Sequence, residues 1–229
     1  GVVTVQMADE VSARLVSSDD ITLGDVTVAG GSEAAFELRF EDSDEAAVGD
    51  VKVTMGDEAQ IRVVFDNIDG DVTAGGIDLE AGDESLVSLR WDGIEGDATA
   101  GAIRLVAGDE STVSLDAVDT ADVSVGDIFA QAGDDSEVTV SFEGGEDGFS
   151  LQAGNVSVSA QGASPVVFLA NGYEQVELGD VELVSGDGAD GVFDIDGLGE
   201  DGVVVAGDVS ITLGDEGQAS VFVGPGDSV

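Results

Sequence analysis

From Gly49 to Gly75 apolar and polar positions alternate in three short runs. Val51 and Val53 alternate with Lys52 and Thr54; after Gly56-Asp57-Glu58, Ile61, Val63 and Phe65 alternate with Arg62 and Val64; before Gly75, Val72 and Ala74 flank Thr73. A period of two is that of a strand with one buried face. The shared phase predicts that Val51, Val53, Ile61, Val63 and Phe65 point inward. No stretch sustains an i, i+3, i+4, i+7 stripe, and Gly recurs too often for a helix of useful length.

The same unit recurs from end to end. Its anchor glycines are Gly1, Gly24, Gly49, Gly75, Gly101, Gly126, Gly154, Gly179 and Gly207, separated by 23 to 28 residues. A second Gly follows seven residues later in most copies (Gly31, Gly56, Gly82, Gly108, Gly133, Gly186, Gly214), with Ala8 and Gln161 as exceptions. Such a period marks a stacked array of supersecondary units. Each full copy is expected to supply three strands of three to five residues, two Gly corners and one variable loop. The loop takes the insertions, as in Glu41–Glu45 and Glu143–Gly148. Gly suits the corners because it tolerates positive φ and close backbone approach. The pattern predicts an all-β, three-faced parallel β-solenoid of about nine rungs, one continuous body over residues 1–229. The competing reading is an antiparallel meander or sandwich with Gly-Asp at hairpin tips.

The units Gly24–Val28, Gly49–Val53, Gly179–Leu183 and Gly207–Ile211 read Gly-Asp-Val followed by a polar and an aliphatic residue. They resemble the Gly-Asp-Val repeats of bacterial surface β-solenoid proteins, similar to filamentous haemagglutinin-type adhesins and to the cytoskeletal bactofilins. The resemblance spans the chain and implies a β-helix from a surface or scaffold protein; it transfers no site residues. In composition the chain also resembles subunits of tubular bacterial appendages, the spinae.

Charge sharpens the picture. Fifty Asp and Glu stand against six Lys and Arg, a net charge of −44. So acidic a surface disfavours nucleic acid and anionic bilayers as partners, since both need a basic face. No apolar run approaches the ~18 residues of a membrane span. Disorder is a poor fit, because the acids alternate with β-branched residues. Apolar residues make up 42 % but aromatics only 5 %, so the core must be thin and aliphatic. The absence of Cys, together with a start at Gly1 rather than Met, fits an exported protein that does not rely on disulfides. The expected location is extracellular, at the cell surface.

Stacking would align equivalent residues about 4.8 Å apart. At the second corner this gives the columns Asp57, Asp83, Asp109, Asp134 and Glu58, Glu84, Glu110, Asp135. Two like charges ~5 Å apart at an effective dielectric of 20 repel by about 3 kcal/mol. Cations are therefore expected partners. Ca²⁺ is the candidate ion at these eight residues, because hard cations take clustered carboxylates; the alternative is exposed acid screened by bulk salt. Neither the RTX nonapeptide nor an EF-hand loop occurs. No other cofactor is implied.

Catalysis has no foothold. Without His or Cys there is no imidazole base and no thiolate, and with carboxylates everywhere no pair stands out. The bases Arg14, Arg39, Lys52, Arg62, Arg90 and Arg104 fall at outward strand positions. They predict two columns of alternating sign, Arg14-Glu37-Arg62 and Lys52-Asp78-Arg104. Trp91 and Phe65 share an inward position, and Tyr173 falls in a loop. Thr is not expected to recur at one rung position, which disfavours an ice-binding face.

Function is then expected at the ends. Gly1–Val5 already fits the repeat, aligning with Gly24–Val28, and the last copy runs through Val221 and Val223. Nine copies of two strands and eight of the third are expected, leaving apolar edges at Val3 and Val5 and at Val209, Ile211, Val221 and Val223. Open strand edges invite pairing, and a head-to-tail contact that does not close makes a filament. The expected function is a self-assembling subunit of an extracellular filament or tubular appendage, with itself as partner. The alternative is a monomeric acidic binding or adhesin module cut from a larger surface protein.

Overall fold

The structure is a computed structural model that describes residues 1–144, 149–198 and 202–225. Among them there is no helix. Twenty-six described strands form three parallel sheets, and each strand pairs with its equivalents one repeat before and after, the end strands of each sheet with one only. One turn runs through Val51–Thr54 in the first sheet, Gln60–Ile68 in the second and Val72–Ala74 in the third. The first two sheets hold nine strands each and the third holds eight. This is the parallel β-solenoid that the repeat predicts, with the expected strand counts; an antiparallel meander is excluded because every pairing is parallel.

The inward phase follows the alternation. Val51, Val53, Ile61, Val63, Phe65, Val72 and Ala74 are all buried, and their equivalents form continuous interior columns. One column of the second sheet reads Phe40, Phe65, Trp91, Ala117, Phe142, Ala170, Ile195. The Phe40 and Phe65 rings stack with centroids 4.9 Å apart. In the neighbouring column Phe168 stacks on Phe193 at 5.4 Å. Such pairs add roughly 0.5–1.5 kcal/mol to area burial.

Two details differ from the sequence reading. Strands of the second sheet reach nine residues, longer than the three to five expected. The acidic stretches read as loop, Glu41–Ser43 and Asp66–Ile68, belong to them. In each, a residue with positive φ (Asp42, Asn67, Gly93 or Asp119) bends the strand while keeping its ladder. The residue after it then returns to the interior, as Ser43, Ile68, Ile94 and Thr120 do. Tyr173 does lie in a loop, between Val166–Asn171 and Gln175–Leu178, but it is buried. Burial, and then the charges of Asp122 and Glu143, raise its phenol above its ordinary range. Of the expected insertions, residues 145–148 lie outside the described residues.

Candidate functional site

The corners are where acids, glycines and the rung spacing meet. At the second corner the aspartates do stack as a column. In three of them Oδ1 accepts the backbone N–H of the equivalent residue one rung on: Asp57 from Asp83 at 3.2 Å, Asp83 from Asp109 at 3.0 Å, Asp109 from Asp134 at 2.9 Å. The first corner does the same. Asp25 accepts from Asp50 at 3.2 Å, Asp50 from Gly76 at 2.8 Å, Asp127 from Asn155 at 2.8 Å and Asp180 from Asp208 at 3.0 Å. Asn155 takes the carboxylate's place once, accepting from Asp180 at 3.0 Å. The aspartates thus extend the inter-rung ladder through turns whose N–H groups would otherwise face only water.

This bond explains the glycines. A Cβ on Gly82 would lie 2.9 Å from the backbone N of Asp57 and overlap that residue's Oδ1; Gly108 stands in the same relation to Asp83, at 2.8 Å. The corner Gly is needed for close approach. Positive φ, also expected of it, falls two residues later, on Glu10, Glu33, Glu58, Glu84, Glu110, Asp135 and Glu216. There the αL backbone aims the N–H at the next rung: Glu58 donates to the Asp83 carbonyl at 2.7 Å and Glu84 to that of Asp109 at 2.7 Å. The glutamate side chains are exposed.

All eight acids expected to hold cations lie at this corner and all are exposed: Asp57, Asp83, Asp109 and Asp134 line the ladder, with Glu58, Glu84, Glu110 and Asp135 beside them. The ladder aspartates Asp57, Asp83 and Asp109 each spend one oxygen on a backbone N–H. Among the described residues no group of three or more acidic side chains converges as a metal cage.

Just inside this corner runs a polar column that the sequence reading missed. Ser85, Ser111, Ser136 and Ser164 are buried. The Oγ of Ser111 accepts the N–H of Ser85 at 3.0 Å and donates to the Asp109 carbonyl at 3.0 Å; Ser136 relates to Ser111 and Asp134 in the same way. Its signal was present as Gly82–Ser85, Gly108–Ser111 and Gly133–Ser136, each a Gly-Asp-acid-Ser run.

The outward bases fall in the expected registers, Arg14-Glu37-Arg62 and Lys52-Asp78-Arg104. Asp78 is bracketed by Lys52 at 2.6 Å and Arg104 at 2.8 Å. Burial pushes its carboxyl up, but the two hydrogen-bonded cations outweigh that and hold it below its usual range. Glu37 pairs with Arg14 at 2.8 Å, while its second neighbour is Arg39 rather than Arg62. Arg39 turns to Glu41 and Asp66. Two carboxyls sit in the opposite situation. Burial raises Asp116 against a Ser114 hydrogen bond and the charge of Arg90, and burial together with Asp196 raises Asp194.

On the third sheet Thr22, Ala47, Thr73, Thr99 and Ser124 occupy one outward register. Thr does therefore recur at one position, though without an unbroken file. A surface groove of about 480 Å³ lies along the turns that lead from the second sheet to the third, lined by Asn67, Gly93, Ile94, Glu95, Asp119, Ala121 and Phe149.

Among the described residues the exposed large apolar side chains are confined to the ends of the stack. They are Val2, Val11 and Val16 on the first turn, and Val203, Val205, Val209, Val221, Phe222 and Val223 on the last three strands. Val221 is 60 % and Val223 52 % exposed, whereas their equivalents Phe193 and Ile195 one rung below are 1 % and 0 %. Val3, Val5 and Ile211 are half-buried against the core.

This architecture defines a parallel β-solenoid repeat protein. No family model matches the chain, and no curated protein or solved structure was found to be similar to it.

Proposed function

We propose that the chain is a structural subunit that stacks end to end with further copies of itself, forming a filament or tubular appendage outside the cell. The observation that carries this reading is the confinement of exposed apolar side chains to the two end turns, beside strand edges that have lost their ladder partner. Stacking a copy there removes apolar area from water at roughly 25 cal/mol per Å² and pairs the edge N–H and C=O groups. The acidic flanks oppose lateral clumping, which leaves the ends as the favoured contact. Along the flanks the free glutamate column gathers cations as a mobile atmosphere. Titration with Ca²⁺ is then expected to show many weak equivalents, and a few tight sites would replace the atmosphere with bound ions.

Negative-stain microscopy with sedimentation across a concentration series tests the assembly. Fibres that lengthen with concentration are expected, and Val3→Lys or Ile211→Lys should stop growth while leaving a folded monomer. A monodisperse monomer at every concentration and salt would overturn the reading. It would favour the second one, an acidic binding module, for which the groove beside Phe149 and Asp119 is the candidate surface.

A further inference from the structure

Resting on the end-to-end reading, we infer that the junction between copies has one polarity and one register, pinned by Asp208 of one copy beneath Gly1 and Val2 of the next. The corner ladder is directional. Every first-corner carboxylate in it points toward the C-terminal end and accepts an N–H from the rung above, as Asp180 accepts from Asp208 at 3.0 Å. Among the described residues Asp208 is the last of this series, exposed and with no rung above it. At the other end Gly1-Val2 takes the place that Gly49-Asp50 holds above Asp25 and Gly207-Asp208 above Asp180, and among the described residues no strand lies beneath Val3–Gln6. The two ends are donor and acceptor halves of a bond repeated along the corner.

Close approach also fits. Every first-corner Gly above a ladder carboxylate leaves no room for a Cβ, as Gly207 shows at 3.1 Å from the Asp180 nitrogen. Gly1 meets that requirement. The second corner does not: there Ala8 would stand over Asp215, and a Cβ at this place overlaps the carboxylate below, as at Gly214 over Asp187. Asp208 is therefore the pin and Asp215 is not. Joining like ends would set Asp208 against Asp208, or donors against donors, so only head-to-tail stacking completes the bond.

With Asp208 under Val2, the interior columns run on without a break. Val209 meets Val3 and Ile211 meets Val5 in the first sheet, and Val221 meets Leu15 in the second. The outward positions Ser210 and Thr4 become neighbours. Adjacent strands are ~4.8 Å apart, within the 4.4–6.8 Å between Cα atoms that a disulfide spans.

Two measurements on the full chain test this. The chain has no Cys, so Thr4→Cys with Ser210→Cys should give, on oxidation, a ladder of covalent multimers. Thr4→Cys with Thr212→Cys, displaced by two residues, should not. Asp208→Ala should raise the critical concentration for fibres about five- to tenfold. Asp208→Asn should leave it unchanged, since Asn155 serves as acceptor in the same corner; both variants lose the same charge, so only the acceptor differs. Asp215→Ala should have no such effect. Fibres that cross-link equally through both cysteine pairs, or that respond alike to Ala and Asn at 208, would overturn the register while leaving end-to-end assembly standing. Absence of fibres in the unmodified chain would remove both.

Discussion

The backbone N–H of Asp83 donates to Oδ1 of Asp57 across 3.2 Å, so an acid stacked above another acid is also tied to it. Mutual repulsion of the carboxylates and attraction of each for the next rung's N–H act at one place. A charged hydrogen bond contributes about 1.5–3 kcal/mol, and less at an exposed site. That is the same order as the repulsion, which salt reduces further.

Replacing the acceptor without the charge separates the two effects. Asp83→Ala should cost about 1–2 kcal/mol, lowering the melting temperature by a few degrees for a chain of this length. Asp83→Asn keeps an acceptor and relieves repulsion, so it should be neutral or stabilising at low salt. Urea denaturation of the two variants measures the difference.

The glycine and the glutamate of one corner should respond in opposite senses. Gly82→Ala drives a Cβ into the Asp57 backbone and should cost on the order of 2 kcal/mol. Glu84→Gly relieves an αL residue at φ 54°, worth about 1 kcal/mol before the entropy that Gly brings to the unfolded chain. It should be neutral to mildly stabilising. Thermal melts of both variants decide the matter.

How much of this was legible follows from what each column depends on. The inward phase of Val51, Val53 and Ile61 could be read because side-chain period alone sets it, and the strand counts followed from the anchor glycines. The roles of Gly82 and Glu84 could not, since both allow a turn and only the path of the backbone says which has positive φ. Asn67 looked like loop because its neighbours are polar, yet its αL backbone lets Ile68 re-enter the core. Ser111 was passed over because a small polar residue after Gly-Asp-Glu reads as turn chemistry. Only stacking reveals that its hydroxyl serves the rung below.

That serine column gives a third prediction. Ser111→Ala leaves the buried N–H of Ser85 without its acceptor and should cost about 1–3 kcal/mol. Hydrogen exchange should show faster exchange at Ser85 than at Leu89, whose ladder the change does not touch.

Asp116 supplies the pH dependence. Its folded-state carboxyl is raised, so ionisation weakens the fold above that raised value, and the penalty disappears below the ordinary carboxylate range near pH 3.9. Asp116→Asn should therefore melt higher than the parent at pH 7, with the gap closing as the pH falls toward 3.5. A gap that widened on acidification would contradict the assignment.

The interior columns are not uniform, and that gives each rung an address. Trp91 sits under Ala117, Phe142 lies above Ala117 and under Ala170, and the serine file occupies only the middle of the stack. A chain of near-identical repeats can misfold by skipping a unit and looping it out. Here a skip that removed the rung of Ala117 would run the aromatic series Phe40, Phe65, Trp91 straight into Phe142, in the place that Ala117 now fills. The irregularities in an otherwise monotonous sequence thus act as proofreading marks, keeping the rungs in order while they are laid down.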